Sequence, residues 1–139
     1  MTKLAVKIAN ENAEQRALVK WLSFNPVLKN FYCKIDNEGE RKVIEKNGVK
    51  IPVGLFNACK MGLRPGANDL FIYYPTKKHH GLWLEMKRNK KYSRSERLTE
   101  TWLAQERFQE CVKSVGYAAF FCYGCGDAIR IIENYLLNN

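Results

Sequence analysis

The sequence lacks the long apolar run that a membrane-spanning helix requires. No stretch of about 18 consecutive apolar residues occurs in the chain. The first residues, MTKLAVKIANENAEQ, also lack the long apolar stretch and the small-residue cleavage site of a secretory signal. We therefore expect a cytoplasmic protein without a membrane span.

The cysteines lack the even number and regular spacing of a disulfide framework. The five cysteines are an odd number, as expected of a reduced cytosolic protein. Cys122 and Cys125 have the spacing of a zinc-binding or redox pair, but no second cysteine pair completes a zinc site. Two unpaired thiols at the end of a strand are the preferred interpretation, and a zinc or redox protein is the alternative.

The sequence also lacks a linker, an internal repeat and a low-complexity segment. Its 139 residues are a common length for one domain, and a hydrophobic fraction of 46% can form a substantial core. We therefore predict one domain over residues 1–139.

Acidic residues are outnumbered by basic ones. The chain has 23 Lys and Arg against 14 Asp and Glu, a formal net charge of +9. This balance favours a polyanionic partner, either nucleic acid or an anionic membrane surface. The alternative is a solvated surface that is basic without a partner.

Apolar periodicity and turn residues predict an alternation of helices and strands. Asn25 and Pro26 end the first helix, Gly62 caps the second, and Gly116 ends the third. The order predicts an α/β fold with a mixed sheet flanked by helices. The predicted helices cover 11–24, 51–62, a region that begins with the capping box Ser93–Glu96, and 127–137; the predicted strands cover 31–36, 69–74, 81–87 and 117–123, with 37–48 as a charged loop.

Helical spacing identifies the residues that should face the core, and one residue on an apolar stripe is polar. Gln105 lies three residues after Trp102 and three before Phe108. Its side chain needs a partner, which is either the backbone or a nearby metal site. The expected inward residues are Ala17, Leu18, Trp21 and Leu22 in the first helix, Leu98, Trp102, Phe108, Val112 and Val115 in the third, and Ala128, Ile131, Ile132 and Tyr135 in the last.

Three charged residues stand in segments that otherwise look like buried strands. Glu85 and Lys87 point to the same face of one predicted strand, and Asp69 opens the strand before it. A hairpin would bring Asp69 beside Glu85, and the two carboxylates would repel each other unless Mg²⁺ or Mn²⁺ lay between them. Lys87 would then lie near the water that attacks a phosphodiester. The alternative is an edge hairpin with a loose, solvent-facing Glu and Lys pair.

Six segments of the sequence occur together in one order and cover nearly its full length. They are ENAEQRALVKWL, KIDNEGER, MGLRPGANDLFI, GLWLEMKR, QERFQECVKSVGYAAFFCYG and AIRIIENYL. Together they resemble the first helix, the Asn-Gly-Gly loop, the Gly-x-Pro-Asp-Leu segment, the Glu-x-Lys strand, the Gln helix with its Gly-Tyr strand, and the closing helix of the VRR-NUC domain. This domain is a virus-type replication-repair nuclease branch of the PD-(D/E)XK superfamily, and the combination is far more specific than any one motif.

The resemblance implies a restriction-endonuclease-like core and Mg²⁺- or Mn²⁺-dependent cleavage of DNA phosphodiesters. Asp69 and Glu85 match the metal-binding carboxylates of the family, and Met86 would offer its backbone carbonyl to the metal. Lys87 matches the catalytic lysine. Gln105 matches the glutamine of the helix that follows.

The resemblance extends to the first helix, and the sequence departs from the family pattern at two places. The first helix supplies an acidic residue in this family, for which Glu11 is preferred and Glu14 is the close alternative. Asn68 stands where the family usually has proline, and asparagine tolerates the turn geometry. The segment before Gln105 is longer than usual, which predicts about two extra turns at the start of that helix.

The resemblance also implies a substrate and an assembly. Stand-alone members of this size resemble phage or prophage proteins, and small versions resemble homodimers that act on branched DNA such as Holliday junctions. One short domain carries one active site, whereas symmetric cleavage of a four-way junction needs two, which a two-fold dimer supplies. We therefore expect branched DNA and a second copy of the chain as partners, without a membrane, in the cytoplasm of a bacterial host if the protein is phage-encoded. The alternatives are a flap or nicking endonuclease of the same fold, a site-specific restriction enzyme, and a nucleic-acid-binding module that does not cut.

Basic residues cluster along the sequence around the proposed site, where they would contact phosphates independently of base sequence. Tyr92 lies within this run and would stack on an unpaired base. His79 and His80 fall in the hairpin loop, at the end away from Asp69 and Glu85, and are expected to be solvated. The basic residues predicted to contact DNA are Arg64, Lys77, Lys78, Arg88, Lys90, Lys91 and Arg94.

Overall fold

The computed structural model describes residues 8–36 and 43–137, and the fold is given for these residues. No helix in this part of the chain is long and apolar enough to cross a membrane. The helices are α1 (Glu11–Phe24), α2 (Val53–Lys60), α3 (Glu100–Ser114) and α4 (Cys125–Leu137), and a short 3-10 helix (Glu96–Leu98) precedes α3. The strands are β1 (Tyr32–Lys34), β2 (Val43–Lys46), β3 (Val49–Pro52), β4 (Leu70–Ile72), β5 (Leu82–Lys87) and β6 (Ala118–Tyr123).

The main sheet is mixed and has the strand order β1-β4-β5-β6. Strand β4 runs antiparallel to both of its neighbours, with Phe71 opposite Cys33 on one side and Trp83 on the other. Strand β6 runs parallel to β5, with Lys87 opposite Tyr123. A parallel pair needs a crossover connection. Helix α3 supplies that crossover and packs against β6.

The apolar core lies between the sheet and the helices α1 and α4. Side chains alternate along each strand, so every second residue of β4, β5 and β6 points to this layer. Tyr135 closes one end of the layer, where its hydroxyl donates to the carbonyl of Tyr74 at 2.7 Å. The buried core residues are Leu18, Leu22, Leu28, Leu70, Ile72, Leu82, Leu84, Met86, Ala118, Cys122, Ala128, Ile131, Ile132 and Tyr135.

The ends of the predicted elements agree best where local signals are strong. Helix α1 covers the predicted range, because the Asn10 side chain accepts a hydrogen bond from the Ala13 N–H at 2.8 Å and the chain turns at Asn25. The antiparallel pair of β4 and β5 confirms the predicted hairpin. Apart from the start of α3, the other predicted elements occur with bounds that differ by at most two residues.

Part of the predicted loop over 37–48 is instead a β-hairpin. Residues 37–42 lie outside the described part of the chain, and with them most of the segment KIDNEGER. Strands β2 and β3 pair antiparallel around Asn47 and Gly48, whose φ angles are +54° and +76°. An Asn-Gly pair with two positive φ angles is the preferred two-residue hairpin turn. The signal was therefore present in the sequence.

The region before α3 differs from the prediction. The capping box forms, since Ser93 Oγ accepts from the Glu96 N–H and the Glu96 carboxylate accepts from the Ser93 N–H. It begins only the short 3-10 helix. The Thr99 side chain then accepts from the Trp102 N–H and starts α3 at Glu100. The two extra turns predicted for α3 are thus a separate 3-10 helix.

Three residues predicted to face the core are exposed instead. Ala17 lies on the solvent side of α1. Leu98 belongs to the 3-10 helix, and Val115 follows the last turn of α3, so neither continues the stripe of that helix. The buried residues of α3 are Trp102, Gln105 and Gln109.

The loop before β4 packs closely against α3. Gly66 has a φ of +88°, and a Cβ atom there would lie 2.5 Å from the backbone carbonyl of Ala104. Glycine is therefore required here both for the backbone conformation and for space. The contact places the loop that leads to Asp69 directly on the middle of α3.

We expect Gly66→Ala to destabilise the fold more than Gly62→Ala. Both glycines have positive φ, so both variants carry a conformational cost of roughly 1–2 kcal/mol. A Cβ at Gly62 meets nothing within 4 Å, whereas one at Gly66 meets the α3 backbone. The clash should cost about 1–3 kcal/mol more. Urea denaturation measures the difference, and equal losses would contradict the close approach.

Candidate active site

Polar side chains meet near the end of β5, on the face of the sheet that α3 covers. Alternation along β5 places Glu85 and Lys87 on this face, and Gln105 projects toward them from α3. Gln105 Nε2 donates to Glu85 Oε1 at 2.6 Å, and Lys87 Nζ donates to Gln105 Oε1 at 2.8 Å. One glutamine amide therefore joins a carboxyl group and an ammonium group, which are 4.0 Å apart.

Asp69 lies beside Glu85, immediately before β4. Its Oδ2 atom accepts a hydrogen bond from the Met86 N–H at 2.9 Å, which ties the loop before β4 to β5. The antiparallel register of β4 and β5 brings the two carboxyl groups together. The structure thus gathers all four residues that were predicted to form the catalytic group: Asp69, Glu85, Lys87 and Gln105.

Burial changes the proton affinity of both carboxyl groups. Glu85 and Lys87 are only 3% and 6% exposed. Burial, with the nearby Asp69 carboxylate as the next cause, raises the pKa of Glu85 to about 9. Burial also raises the pKa of Asp69, against the opposing effect of the Met86 hydrogen bond. The pair therefore favours either a retained proton or a bound cation.

The donor set fits a hard divalent cation. Among the described residues Glu85 Oε2 is buried and has no hydrogen-bond partner, whereas Oε1 accepts from Gln105. Mg²⁺ takes oxygen ligands and needs only one or two protein carboxylates, because waters and substrate phosphates complete its shell. No group of three or more His, Cys, Asp or Glu side chains that could hold a metal occurs within 8–36 and 43–137. The residues present suit a cation shared with a phosphate.

Aromatic rings enclose the Lys87 ammonium group. Its Nζ atom lies 4.3 Å from the centroid of the Trp102 ring and 5.7 Å from that of Phe121. The two rings stack on each other at 5.0 Å. Such contacts stabilise a cation without accepting a conventional hydrogen bond. Lys87 has three donor hydrogens, so donors remain beyond the one that Gln105 accepts.

The first helix directs Glu11 and Glu14 to different places. The Glu11 charge contributes to the raised pKa of Glu85, so this residue lies on the site side. Glu14 instead accepts a hydrogen bond from the Cys125 N–H at the start of α4. A carboxylate is stabilised at a helix N-terminus. The choice of Glu11 over Glu14 as a metal ligand stays a prediction.

A cleft of about 530 Å³ gives access to Asp69 from solvent. Helix α1 forms one wall, and β1 with the residues after it forms the other. The cations Arg16 and Lys34 lie on these two walls, and the acidic residues Asp36 and Asp69 share the cleft with them. The lining residues are Asn12, Gln15, Arg16, Val19, Lys34, Ile35, Asp36 and Asp69.

The basic residues predicted to contact DNA separate into two groups. Lys77 and Lys78 lie in the loop between β4 and β5, at the opposite end of β5 from Lys87, so the structure does not bring them to the carboxylates. The residues nearer the site are Arg64, Arg88, Lys90, Lys91 and Arg94, of which Arg64, Lys91 and Arg94 are exposed.

Two of the nearer cations already have protein partners. The Arg88 guanidinium donates to the carbonyl of Ile8 at 3.4 Å. Lys90 pairs with Glu96 at 2.8 Å. Their contact with DNA stays a prediction.

Tyr92 supports the wall behind Lys87. Its ring lies 5.0 Å from the Trp102 ring and 6.0 Å from the Tyr123 ring. Its hydroxyl accepts a hydrogen bond from the Arg88 N–H at 2.9 Å. Tyr92 is half-buried in these contacts, and stacking on a DNA base stays a prediction.

Two buried amides were missed by the sequence analysis. Gln109 Nε2 donates to Asn68 Oδ1 at 2.9 Å, and the residues are 5% and 0% exposed. Asn68 was expected only to tolerate a turn, but its side chain ties the loop before Asp69 to α3. The available signal was the spacing of Gln109, which follows Gln105 by four residues and shares its helix face.

The two histidines lie away from the carboxylates, as predicted. The His79 ring stacks on Tyr135 at 6.2 Å, and the His80 N–H donates to the carbonyl of Gly116 at 2.9 Å. His80 is exposed and His79 is half-buried. Both are at the start of β5, whereas Glu85 is near its end.

The protein thus has an α/β fold with a mixed sheet, and paired carboxyl groups lie at the end of a central strand. A solved structure described as a VRR_NUC domain protein matches it with a TM-score of 0.73, over 96% of this chain and 93% of that chain, at 20% identity. No family model and no curated protein match the sequence. The predicted fold and its likeness to the VRR-NUC domain are therefore confirmed as a likeness of fold.

We expect Glu85→Gln to flatten the pH dependence of stability in EDTA. The folded protein holds the Glu85 proton up to about pH 9, whereas the ordinary pKa of 4.5 applies to the unfolded chain. Unfolding releases this proton within that window, so wild-type stability should fall as pH rises from 4.5 toward 9. The glutamine side chain of the variant still has an oxygen that can accept the hydrogen bond from Gln105, but it has no carboxyl group that titrates in this range.

Urea denaturation of both proteins across this pH range provides the measurement. One titrating group changes the free energy of unfolding by at most about 1.4 kcal/mol per pH unit. Parallel curves for wild type and variant would show that Glu85 does not retain a proton in the folded state.

Thiol labelling should separate the five cysteines by burial. Cys33, Cys59 and Cys111 are exposed and should react first. Burial raises the pKa of Cys125 and, more strongly, that of Cys122, so Cys122 should react only on unfolding. A titration with and without a chelator measures this. If the chelator makes Cys122 and Cys125 reactive together, the zinc alternative is supported.

Proposed function

We propose that the protein is a metal-dependent DNA endonuclease that hydrolyses phosphodiester bonds. The observation that carries the proposal is the buried chain of Glu85, Gln105 and Lys87 beside Asp69. Removing ionisable groups from water is costly, and clusters of such groups with perturbed pKa values are typical of active sites. The likeness in fold to a VRR_NUC domain protein agrees with this assignment.

The residues assigned to the metal are Asp69 and Glu85, with the Met86 carbonyl and Glu11 beside them. Mg²⁺ or Mn²⁺ held there would neutralise charge on the phosphate and lower the pKa of the attacking water. The buried Oε2 atom of Glu85 has the free lone pairs that such a role requires. The pKa of Glu85, near 9, implies that a cation would displace a proton on binding.

Lys87 and Gln105 act on the substrate as one unit in this proposal. The Gln105 carbonyl orients the ammonium group, and its amide holds Glu85, so one side chain sets the spacing of the two charges. The Trp102 ring excludes water from one side of Lys87. The remaining N–H donors of Lys87 would orient the attacking water or a phosphate oxygen.

The substrate we propose is branched DNA, with a four-way junction cut by a homodimer. The net charge of +9 favours a polyanion, and Arg16 and Lys34 in the cleft could contact its phosphates. One chain has one set of these residues, so paired cuts need two copies related by a two-fold axis. A flap or nicking endonuclease and a module that binds without cutting are the alternatives.

Lys87→Ala should abolish cleavage while leaving the fold intact. We expect a loss of at least about 100-fold, the usual effect of removing one charge-stabilising donor. Labelled four-way junction, flap and linear duplex are incubated with Mg²⁺, Mn²⁺ or EDTA. Lys20→Ala is the matched control, because Lys20 is an exposed lysine of α1 outside the hydrogen-bonded group.

The outcomes distinguish the three functions. Metal-dependent, paired cuts in the junction, lost only in Lys87→Ala, support a dimeric resolvase. Metal-dependent cleavage of flaps or linear duplex would support the nuclease assignment and contradict the proposed preference for four-way junctions. Intact binding without cleavage in either metal indicates a non-catalytic module.

A further inference from the structure

A continuous group of aromatic rings lies on the sheet face that carries the candidate active site. Phe71 and Trp83 are opposite each other in β4 and β5, and their rings stack at 4.3 Å. Tyr73 lies 6.0 Å from Phe71, and Phe31 lies 5.9 Å from Tyr73. Tyr117 lies 5.9 Å from Phe71 on the other side. We name these five rings the aromatic surface.

Helix α3 covers only one end of the aromatic surface. Phe108 of α3 contacts the Trp83 ring edge-on at 4.9 Å. Farther from α3, Tyr73 is 44% exposed and Phe31 is 37% exposed. An exposed apolar patch of this kind commonly marks a binding surface.

The rings of the aromatic surface are held in place by the backbone. The Tyr73 hydroxyl donates to the carbonyl of Asn30 at 2.9 Å. The Phe71 ring lies over Gly81, where a Cβ atom would come within 2.9 Å of it. Glycine therefore leaves room for a ring that lies against the sheet. Rings fixed in this way lose little freedom when a ligand stacks on them.

The chain segments that carry the rings are basic. Residues 24–34, 71–84 and 111–123 contain no Asp or Glu. Every lysine in these segments is exposed, and of these Lys34 points to the opposite face of the sheet, into the cleft beside α1. This charge complements a polyanion. The lysines are Lys29, Lys34, Lys77, Lys78 and Lys113.

We propose that the aromatic surface binds an unpaired single strand, with bases stacked on Tyr73 and Phe31 and phosphates near the surrounding lysines. Flat rings among cations bind single strands without sequence preference. Trp83 precedes Glu85 by two strand residues, a distance of roughly 7 Å along β5. Trp83, at the end of the surface that α3 covers, is therefore the ring of this group nearest to the candidate active site. The inference deepens the proposed function and rests on it, because the single strand is taken to be the unpaired part of a branched DNA substrate.

Binding measured in EDTA separates base stacking from phosphate contact. The probes are a labelled oligothymidylate and an oligomer of abasic sites with the same number of phosphates, followed by fluorescence anisotropy. Wild type should bind the oligothymidylate at least roughly tenfold more tightly, which is within the usual effect of stacking one or two bases. Tyr73→Ala should lose most of this preference and keep its salt dependence.

Matched variants keep the result interpretable. Tyr73→Phe retains the ring and should retain the preference for bases. Phe120→Ala is the control, because Phe120 is also 44% exposed but alternates with Phe121, whose ring faces α3, and so lies on the other side of the sheet. Phe31→Ala repeats the test on an independent ring if Tyr73→Ala does not fold, as judged by circular dichroism.

The result can overturn the inference without touching the nuclease assignment. Equal wild-type affinity for the two oligomers, or equal loss in Phe120→Ala and Tyr73→Ala, removes the aromatic surface as a strand-binding site. Metal-dependent cleavage would then still support the nuclease. Conversely, if the protein prefers the oligothymidylate but cleaves no substrate in either metal, the strand-binding inference is supported and the nuclease assignment is contradicted.

Discussion

The burial of Glu85 beside a second carboxyl group is the constraint on which the rest of the site depends. A carboxyl group that is 3% exposed needs a proton or a cation as its neighbour. Gln105 satisfies one of its oxygens, and the same glutamine holds Lys87. A proton retained by the carboxyl pair meets this need, and under the proposed function a divalent cation would take its place.

Helix α3 holds the parts of this site at fixed distances. Its buried side carries two glutamines where a core helix would ordinarily carry apolar residues. Gln105 reaches β5, whereas Gln109 reaches Asn68 in the loop before β4. Gly66 lets that loop lie directly on the helix. Because each amide pairs with a buried polar group, the position of α3 determines both the packing and the separation of the functional groups.

The parts that could be predicted from sequence are those with a local cause. The first helix ends at Phe24, directly before the Asn25-Pro26 pair that predicted its end. A charged residue in an apolar strand, such as Glu85, requires a partner, which also predicted a polar site. The Asn68–Gln109 bond could not be predicted, because its residues are 41 positions apart and meet only through packing of a loop on a helix. Lys77 and Lys78 are near the carboxylates in sequence, yet the hairpin places them at the far end of β5. Sequence distance and spatial distance diverge most in such hairpins.

The hydrogen bond from the Cys125 N–H to Glu14 joins the first described helix to the last. Helix α1 contacts both α4 and β5. Of the described elements α1 is synthesised first, and α4, which contacts it, is synthesised last. A nascent chain therefore contains Asp69, Glu85 and Lys87 before α1 can pack on α4. The packing of α1 on α4 is thus a late event in translation, later than synthesis of the strands that carry the carboxyl groups.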